Sequence, residues 1–228
     1  MSCYYLSEDC IDGFLDIVIG SPSDGVSFGL VSFSGKLLLQ PTCDWRFTQT
    51  RRGLIIYKRN NKFGVINRNG VSIFPATYDY IEETVENKFL LIDGNSKRYL
   101  DSNGKVIVDV SEYKCTIGIN DNFVIVSYNG SCDYTTFYCS RALIPDGKIG
   151  VINFKGQTIV PLGYDYVCFV TPRKVIVNLG GQVDPGGRLE PSTWSGGRWG
   201  YINLDDPYTV SWLDRDIQWD LFDKRATD

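Results

Sequence analysis

Two stretches of this chain have nearly the same sequence. KFGVINRNGVSIFPATYDY runs from Lys62 to Tyr80, and KIGVINFKGQTIVPLGYDY runs from Lys148 to Tyr166. Three weaker copies share the same pattern. Its first repeated position, which we call the first mark, lies at Gly29, Gly64, Arg98, Gly150 and Gly200, so successive copies are separated by 35, 34, 52 and 50 residues. A period of about 20 to 50 residues is typical of stacked or radial repeat architectures.

Each copy reads as about four short antiparallel strands. The run Phe63 to Asn67 is rich in β-forming residues, Asn69-Gly70 predicts a tight turn with positive φ angles, and Val71 to Phe74 forms the returning strand. Pro75 should end that strand, because proline cannot donate to a ladder. Two further strands follow the Tyr-Asp-Tyr segment, and no stretch has helical periodicity. The sequence therefore predicts an all-β fold.

The two ends of the array predict that it closes. The last copy lacks a fourth strand, whereas Phe14 to Ile19 is a spare strand near the N-terminus. An open array would leave its edges unpaired, so we predict one domain over residues 1–228, a small five-bladed β-propeller closed by a strand within residues 11–20. The alternative is an open, twisted β-solenoid. The five repeats lie near residues 26–59, 60–94, 95–147, 148–197 and 198–228.

The repeated letters resemble a known family. The pairs Phe28-Gly29, Phe63-Gly64, Ile149-Gly150 and Trp199-Gly200 are followed by a turn, in most copies by a proline, and in two copies by Tyr-Asp-Tyr. This pattern resembles the WG-repeat (KWG-repeat) family over most of the chain, from Val26 to Trp219, although Arg98 replaces the motif glycine in the third copy. The resemblance implies a β-rich interaction scaffold of mainly bacterial proteins, and it brings no catalytic residues.

Polar residues recur at two places in the copies. Three positions after each first mark lies a small polar residue, which we expect to bond the turn backbone, although a ring of such residues could also hold a ligand: Ser32, Asn67, Asp101, Asn153 and Asn203. Acidic residues recur at the Tyr-Asp-Tyr position, at Asp44, Asp79, Glu112 and Asp165. Their recurrence points to a structural role, and the alternative is acid and base catalysis of glycoside cleavage.

Two insertions interrupt the array at the same point of the repeat. They cover Asn129 to Gly147 and Leu179 to Gly197. Long loops are uncommon unless they are functional, and insertions at equivalent points emerge on one face, which is often the binding face. Aromatic and arginine side chains commonly form interface hot spots. The predicted partner-binding residues are Tyr134, Phe137, Tyr138, Arg141, Arg188, Trp194, Arg198 and Trp199; the alternative is that both loops merely cover neighbouring strand ends.

Composition narrows the function. The net charge of -4 disfavours a nucleic-acid-binding surface, and no apolar run is long enough to cross a membrane. Seven cysteines without a secretory signal predict reduced thiols in a cytoplasm. The chain has no histidine, which is the commonest metal ligand and general base at neutral pH, so we expect no metal, no cofactor and no enzyme.

We therefore predict a monomeric, non-enzymatic scaffold that binds another protein through the two insertions. An inhibitor or immunity-type protein is one form that this function could take. The first alternative is a small-ligand or glycan receptor that uses Trp194, Trp199 and Tyr138 as aromatic platforms. The second is a carboxylate-dependent hydrolase, for which Asp184 and Glu190 are the candidate acids.

Overall fold

A computed structural model describes the chain except residues 1–3, 7–13, 22–24, 45–47, 50–52, 86, 130–147, 185–192, 216, 221–224 and 228. The described residues form 24 strands and no helix, so the all-β prediction is confirmed. None of them belongs to a helix that could cross a membrane. The chain divides into two compact units, residues 1–109 and 110–228, and each contains three four-stranded antiparallel sheets.

The first unit contains the first three sheets. The first sheet is β1 (Tyr4–Leu6), β2 (Phe14–Ser21), β3 (Gly25–Ser32) and β4 (Leu37–Cys43). The second sheet is β5 (Thr48–Gln49), β6 (Ile55–Arg59), β7 (Lys62–Ile66) and β8 (Ser72–Tyr78). The third sheet is β9 (Tyr80–Val85), β10 (Lys88–Asp93), β11 (Ser96–Asp101) and β12 (Val106–Asp109).

The second unit contains the other three. The fourth sheet is β13 (Cys115–Ile119), β14 (Phe123–Ser127), β15 (Ile149–Asn153) and β16 (Thr158–Tyr164). The fifth sheet is β17 (Tyr166–Thr171), β18 (Lys174–Leu179), β21 (Arg198–Asn203) and β22 (Asp206–Trp212). The sixth sheet is β19 (Gln182–Asp184), β20 (Thr193–Ser195), β23 (Gln218–Asp220) and β24 (Arg225–Thr227).

The sheets do not coincide with the sequence copies. In the second sheet, β5 and β6 come from the end of the first copy, whereas β7 and β8 come from the start of the next. The third, fourth and fifth sheets are assembled in the same way. The motif glycine or its replacement therefore always lies on the third strand of a sheet, which we call the motif strand.

The predicted closing strand has a different partner. The strand within residues 11–20 is β2, and it pairs along its whole length with β3, from Phe14 opposite Ser32 to Ser21 opposite Gly25. The prediction that it pairs with the last copy is therefore wrong, because a short connection brings it to β3 at a low entropic cost. The last copy is also not short of a strand, since β23 pairs with both β20 and β24.

Within each unit, successive sheets share hydrophobic cores. One cluster joins Leu30 of the first sheet to Ile55 of the second, and another joins Ile56 of the second to Phe89 of the third. Neighbouring residues on a strand point to opposite faces, so Ile55 and Ile56 bury both faces of β6. This explains why the second strands of the third, fourth and fifth sheets, β10, β14 and β18, each contain four or five consecutive buried residues.

Three of the motif glycines lie beneath a bulge of the fourth strand. Phe63 pairs with Tyr78 and Val65 pairs with Phe74, so three residues of β8 pass over Gly64. The same shift occurs opposite Gly29 and Gly150. A Cβ atom on Gly150 would lie 2.5 Å from the Val160 carbonyl oxygen and 2.9 Å from the Leu162 nitrogen. Only glycine permits this approach of two backbones.

The third copy, in which Arg98 replaces the motif glycine, supports this explanation, whereas the last copy keeps Gly200 without a bulge. Arg98 pairs directly with Asp109, and Gly200 pairs directly with Trp212, so neither motif position faces a bulge. Neither fourth strand has a proline at the position of Pro75. In the copies with the bulge, the prediction that the proline ends the fourth strand is wrong. Pro75 lies inside β8, because a bulged edge strand needs no donor there.

The hairpin turns differ from the predicted type. In this turn Gly70 has a positive φ, of 80°, and Asn69 does not. The Gly70 N–H donates to the Asn67 carbonyl, and the Asn67 N–H donates to the Val71 carbonyl. This is a three-residue loop with a glycine bulge rather than a two-residue turn. The Asn67 Oδ1 accepts from the backbone N–H groups of Asn69 and Val71 at 2.9 and 3.0 Å, and Asp101 and Asn153 do the same in their turns. The expected turn-bonding role is confirmed.

We predict that Gly150→Ala lowers the free energy of unfolding by about 1–3 kcal/mol, because the added methyl group must displace backbone atoms of β16. The matched control is Gly163→Ala on β16 itself, where a Cβ atom meets nothing within 4 Å. Urea unfolding followed by tryptophan fluorescence measures both variants. Equal stability of the two variants would contradict the steric explanation.

Candidate functional site

Both insertions leave the second unit at the same end of their sheets. The first joins β14 to β15 and the second joins β18 to β21, which are the second and third strands of the fourth and fifth sheets. The corresponding connection in the second sheet is only Asn60-Asn61, a two-residue turn with φ angles of 50° and 62°. We call the end of the fourth and fifth sheets where the insertions leave the insertion end.

A buried polar side chain fixes the base of each insertion. The Ser127 hydroxyl oxygen lies 2.8 Å from the Lys148 carbonyl and 2.9 Å from the Asn129 carbonyl, on either side of the first insertion. Asn178 donates to the Gly196 carbonyl at 2.9 Å and accepts from the Gly181 N–H at 2.8 Å, on either side of the second. Both side chains are fully buried.

Ser127 and Asn178 occupy equivalent positions, opposite the residue that precedes the motif glycine. In the second and third sheets, where the connection has two residues, the same position holds Lys58 and Ile92. A small polar residue at this position therefore accompanies an insertion. This signal is present in the sequence, and the sequence analysis missed it.

The second insertion contributes regular structure. Its ends form β19 and β20, which pair with each other, and β20 also pairs with β23 near the C-terminus. The sixth sheet thus consists half of insertion residues. This part of the insertion is therefore regular structure rather than a free loop.

The structure places two predicted contact residues in the core. Trp194 and Trp199 are 2% and 1% exposed, and both indole rings pack on Tyr166 with centroid distances of 5.3 and 6.0 Å. They join the fifth sheet to the sixth, where Ile176 and Ile217 complete the cluster. Both residues were predicted to contact a partner or to serve as glycan platforms, and the structure instead buries them in a core. Large aromatic rings suit a core as well as an interface.

The other predicted residues fall into two groups. Arg198 is exposed at the start of β21, and its guanidinium lies 4.5 Å from the ring centroid of Trp212, a favourable cation–π distance. Trp212 was not among the predicted residues. The remaining predicted positions lie outside the described residues: Tyr134, Phe137, Tyr138, Arg141 and Arg188.

An aromatic pair lies at the base of the first insertion. Tyr128 directly follows Ser127, is 50% exposed, and stacks on buried Tyr113 with a centroid distance of 4.8 Å. Burial, together with hydrogen bonds to Tyr128 and Glu112, raises the pKa of Tyr113 above its usual value. Tyr113 therefore stays neutral and holds the exposed ring of Tyr128 in place.

The recurring aspartates are engaged in the structure. Asp79 lies between the second and third sheets, and its carboxylate accepts from Lys62 Nζ at 2.5 Å and from the Gly94 N–H at 2.8 Å. Lys62 begins the motif strand of the second sheet, whereas Gly94 follows the second strand of the third. Asp165 likewise joins Lys148 of the fourth sheet to the Gly180 N–H of the fifth.

These contacts keep the carboxylate of Asp79 ionised. The Gly94 N–H and then the Lys62 ammonium hold the pKa of Asp79 below its usual value. A general acid needs the opposite shift. Asp44 accepts the Asn61 N–H at 2.6 Å in the same way, so the structural role of these three aspartates is confirmed.

A polar cleft of about 480 Å³ lies at the other end of the fifth sheet. Arg173 and Asp205 form an ion pair at 2.9 Å on its rim, and Lys174 Nζ lies 4.1 Å from the ring centroid of Tyr201. Thr171, Asn203 and Ser211 supply the remaining polar lining. Such a cleft can accept a small polar ligand.

The described residues contain no group of three or more metal-binding side chains. Cys43, Cys115 and Cys168 are buried and do not form disulfide bonds. Burial is the main reason that the pKa of the Cys43 thiol is raised, so this thiol stays protonated and unreactive at neutral pH.

The comparisons agree with the repeat pattern. Residues 63–91 match the WG-containing repeat family, so the chain contains a WG-containing repeat, as its sequence indicates. No curated protein sequence matches the chain. The WD40 domain of Pan2 from Neurospora crassa matches 93% of this chain and 80% of its own, at 14% identity and a TM-score of 0.29. At this TM-score the likeness supports no argument. A repetitive β-domain of this kind is, at the general level, a protein-interaction scaffold.

We predict that Asn178→Ala lowers the free energy of unfolding by about 1–3 kcal/mol, because the Gly181 N–H and the Gly196 carbonyl both lose a buried partner. Asn122→Ala, at an exposed turn position, is the control and should change the stability little. Denaturant unfolding measures both. Equal stabilities would show that Asn178 does not fix the base of the insertion.

A second prediction concerns the pH dependence of stability. The lowered pKa of Asp79 means that its contribution is fully present above the unfolded value of 3.8 and is lost as the pH falls through the folded value. Asp79→Asn should therefore destabilise the protein more at pH 7 than at about pH 3. Asp206→Asn is the control, since Asp206 forms no ion pair with any described residue. A pH-independent effect of Asp79→Asn would contradict the assignment.

Proposed function

We propose that this chain is a non-enzymatic module that binds another protein through the insertion end of its second unit. The observation that supports the proposal most is the pair of buried polar side chains, Ser127 and Asn178, which fix the bases of the two insertions. The copies with short turns do without such residues. Fixing both ends of a long connection restricts its conformations before a partner binds, which lowers the entropic cost of binding.

The described part of the insertion end offers contact groups of the type found in interfaces. Tyr128 presents an exposed ring held by Tyr113, and Arg198 presents a guanidinium held by Trp212. Aromatic and arginine side chains with restricted motion lose little entropy on binding. We propose that a partner contacts these two residues and the insertion residues Tyr134, Phe137, Tyr138, Arg141 and Arg188.

We further propose that the sheets are blades of a small β-propeller in the cytoplasm, with an inhibitor or immunity-type role among the possible uses. Support for the blades comes from each unit by itself, where successive four-stranded sheets pack face to face in chain order. The absence of histidine supports a function by recognition rather than by catalysis.

A small-ligand receptor is the second candidate, and the polar cleft of the fifth sheet favours it. The charge of Lys174 has no carboxylate within ion-pair distance among the described residues, so the cleft would prefer an anionic ligand. Calorimetry with a panel of anionic sugars and nucleotides, repeated on Lys174→Ala, would test this candidate.

The binding function predicts the result of shortening the insertions. Residues 130–147 and residues 185–192 are each replaced by Asn-Gly, which preserves Ser127, Asn178 and the pairing of Asp184 with Thr193. We expect that a partner enriched by the intact chain from a lysate of the source cell, identified by mass spectrometry, binds at least about tenfold more weakly to the shortened chain.

Gly163→Ala is the full-length control variant and should bind the partner as the intact chain does. Equal melting temperatures of the shortened chain and of this control show that the shortened chain is folded. Unchanged affinity of every enriched partner for the shortened chain would exclude the insertions as the binding element.

A further inference from the structure

Exposed apolar side chains in the first unit concentrate at one set of turns. The turns between the third and fourth strands of the first, second and third sheets, each taken with the first residue of the fourth strand, cover residues 33–37, 68–72 and 102–106, and we call them together the turn surface. They carry four large hydrophobic residues that are 43–64% exposed: Phe33, Leu37, Val71 and Val106. Exposed apolar groups that recur in one region mark an interaction site more often than scattered ones do.

The three turns lie side by side within the first unit. Lys36 Nζ donates to the Asn69 carbonyl at 2.9 Å, which joins the first turn to the second. A Cβ atom on Gly70 would lie 3.4 Å from Leu38 of the first sheet, and one on Gly104 would lie 3.8 Å from Phe74 of the second. Each turn therefore rests against the preceding sheet, so the turn surface is continuous.

The turn surface is also basic. Its three segments contain Lys36, Arg68 and Lys105 and no acidic residue, although the chain as a whole has a net charge of -4. Lys36 and Lys105 are exposed and form no ion pair with a described residue. The equivalent turns of the second unit, residues 154–158 and 204–208, contain one lysine and two aspartates. The combination of exposed apolar groups and positive charge thus belongs to the first unit.

We propose that the turn surface binds an extended acidic segment of another protein, with one carboxylate at Lys36, another at Lys105 and apolar residues between them; Arg68 lies against Gly53 and is not assigned a carboxylate. Packed sheets lie about 10 Å apart, and an extended chain rises about 3.3 Å per residue, so basic residues two sheets apart match acidic residues about six positions apart. Charge complementarity selects the acidic residues, and burial of Phe33, Leu37, Val71 and Val106 supplies apolar contact.

The turn surface contains no insertion residue, because it belongs to the first unit and both insertions belong to the second. The inference therefore goes beyond the proposed function, and the chain with shortened insertions should retain it. That variant makes a failure of one proposal distinguishable from a failure of the other.

The test uses a fluorescein-labelled nine-residue peptide with glutamates about six positions apart and leucine and serine between. Fluorescence polarisation at low ionic strength measures its affinity for the full chain. We expect saturable binding that weakens as salt is added, and at least about threefold weaker binding of a peptide with the same composition but adjacent glutamates. Lys36→Glu, Lys105→Glu and Val71→Ser should each weaken binding at least about threefold.

Lys155→Glu, an exposed lysine in the equivalent turn of the fourth sheet, is the control and should leave the affinity unchanged. The absence of saturable binding, equal binding of the two peptides, or an equal effect of Lys155→Glu would overturn the proposal. Binding of phosphatidylserine vesicles that is lost in the same variants, without peptide binding, would overturn it in favour of a membrane surface.

Discussion

The close approach of a bulged fourth strand to the motif glycine is the constraint on which the first, second and fourth sheets depend. It explains two letters of the repeat together: the glycine leaves room for the crossing backbone of the bulge, and the proline is tolerated because the bulged edge strand needs no donor there. It also explains why Arg98 is acceptable, since its partner strand has no bulge opposite it. A bulged, proline-containing edge resists pairing with other chains, so the same contact protects each such sheet.

A second constraint joins neighbouring sheets. Each Tyr-Asp-Tyr aspartate lies on the connection between two sheets and receives hydrogen-bond donors from both, as Asp79 does from Lys62 and Gly94. The lysine that precedes the motif glycine and the aspartate seventeen residues later are therefore two halves of one contact. In the first sheet Ser27 replaces the lysine, and among the described residues the Asp44 carboxylate accepts from the backbone of the following sheet, at the Asn61 N–H. The first insertion thus leaves a sheet that both constraints stabilise, and the second leaves a sheet that the Asp165 contact joins to it.

Local features of this fold could be predicted from the sequence, and the choice of strand partners could not. Asn67 and Gly70 carry their turn role in their own chemistry, and alternating or continuous apolar runs indicate strands. Nothing in a short strand such as Phe14–Ser21 states which edge it will join, so the closing strand was assigned to the wrong end. Trp194 and Trp199 were misplaced because the same large rings suit a core and an interface. Ser127 and Asn178 were overlooked because a single hydroxyl or amide in a strand indicates nothing by itself. Their role becomes visible only when the copies are aligned and the copies with short turns have Lys58 and Ile92 at the same position.

The most direct test of the central constraint is a nuclear Overhauser measurement on the α-protons of the motif glycines in isotopically labelled protein. The account predicts strong effects from Gly150 to Pro161 and the Leu162 amide, and from Gly29 to Pro41, because those backbones cross at van der Waals distance. Gly200 should instead show effects to Trp212, its direct partner on an unbulged ladder. The same regular cross-strand pattern at all three glycines would contradict the account.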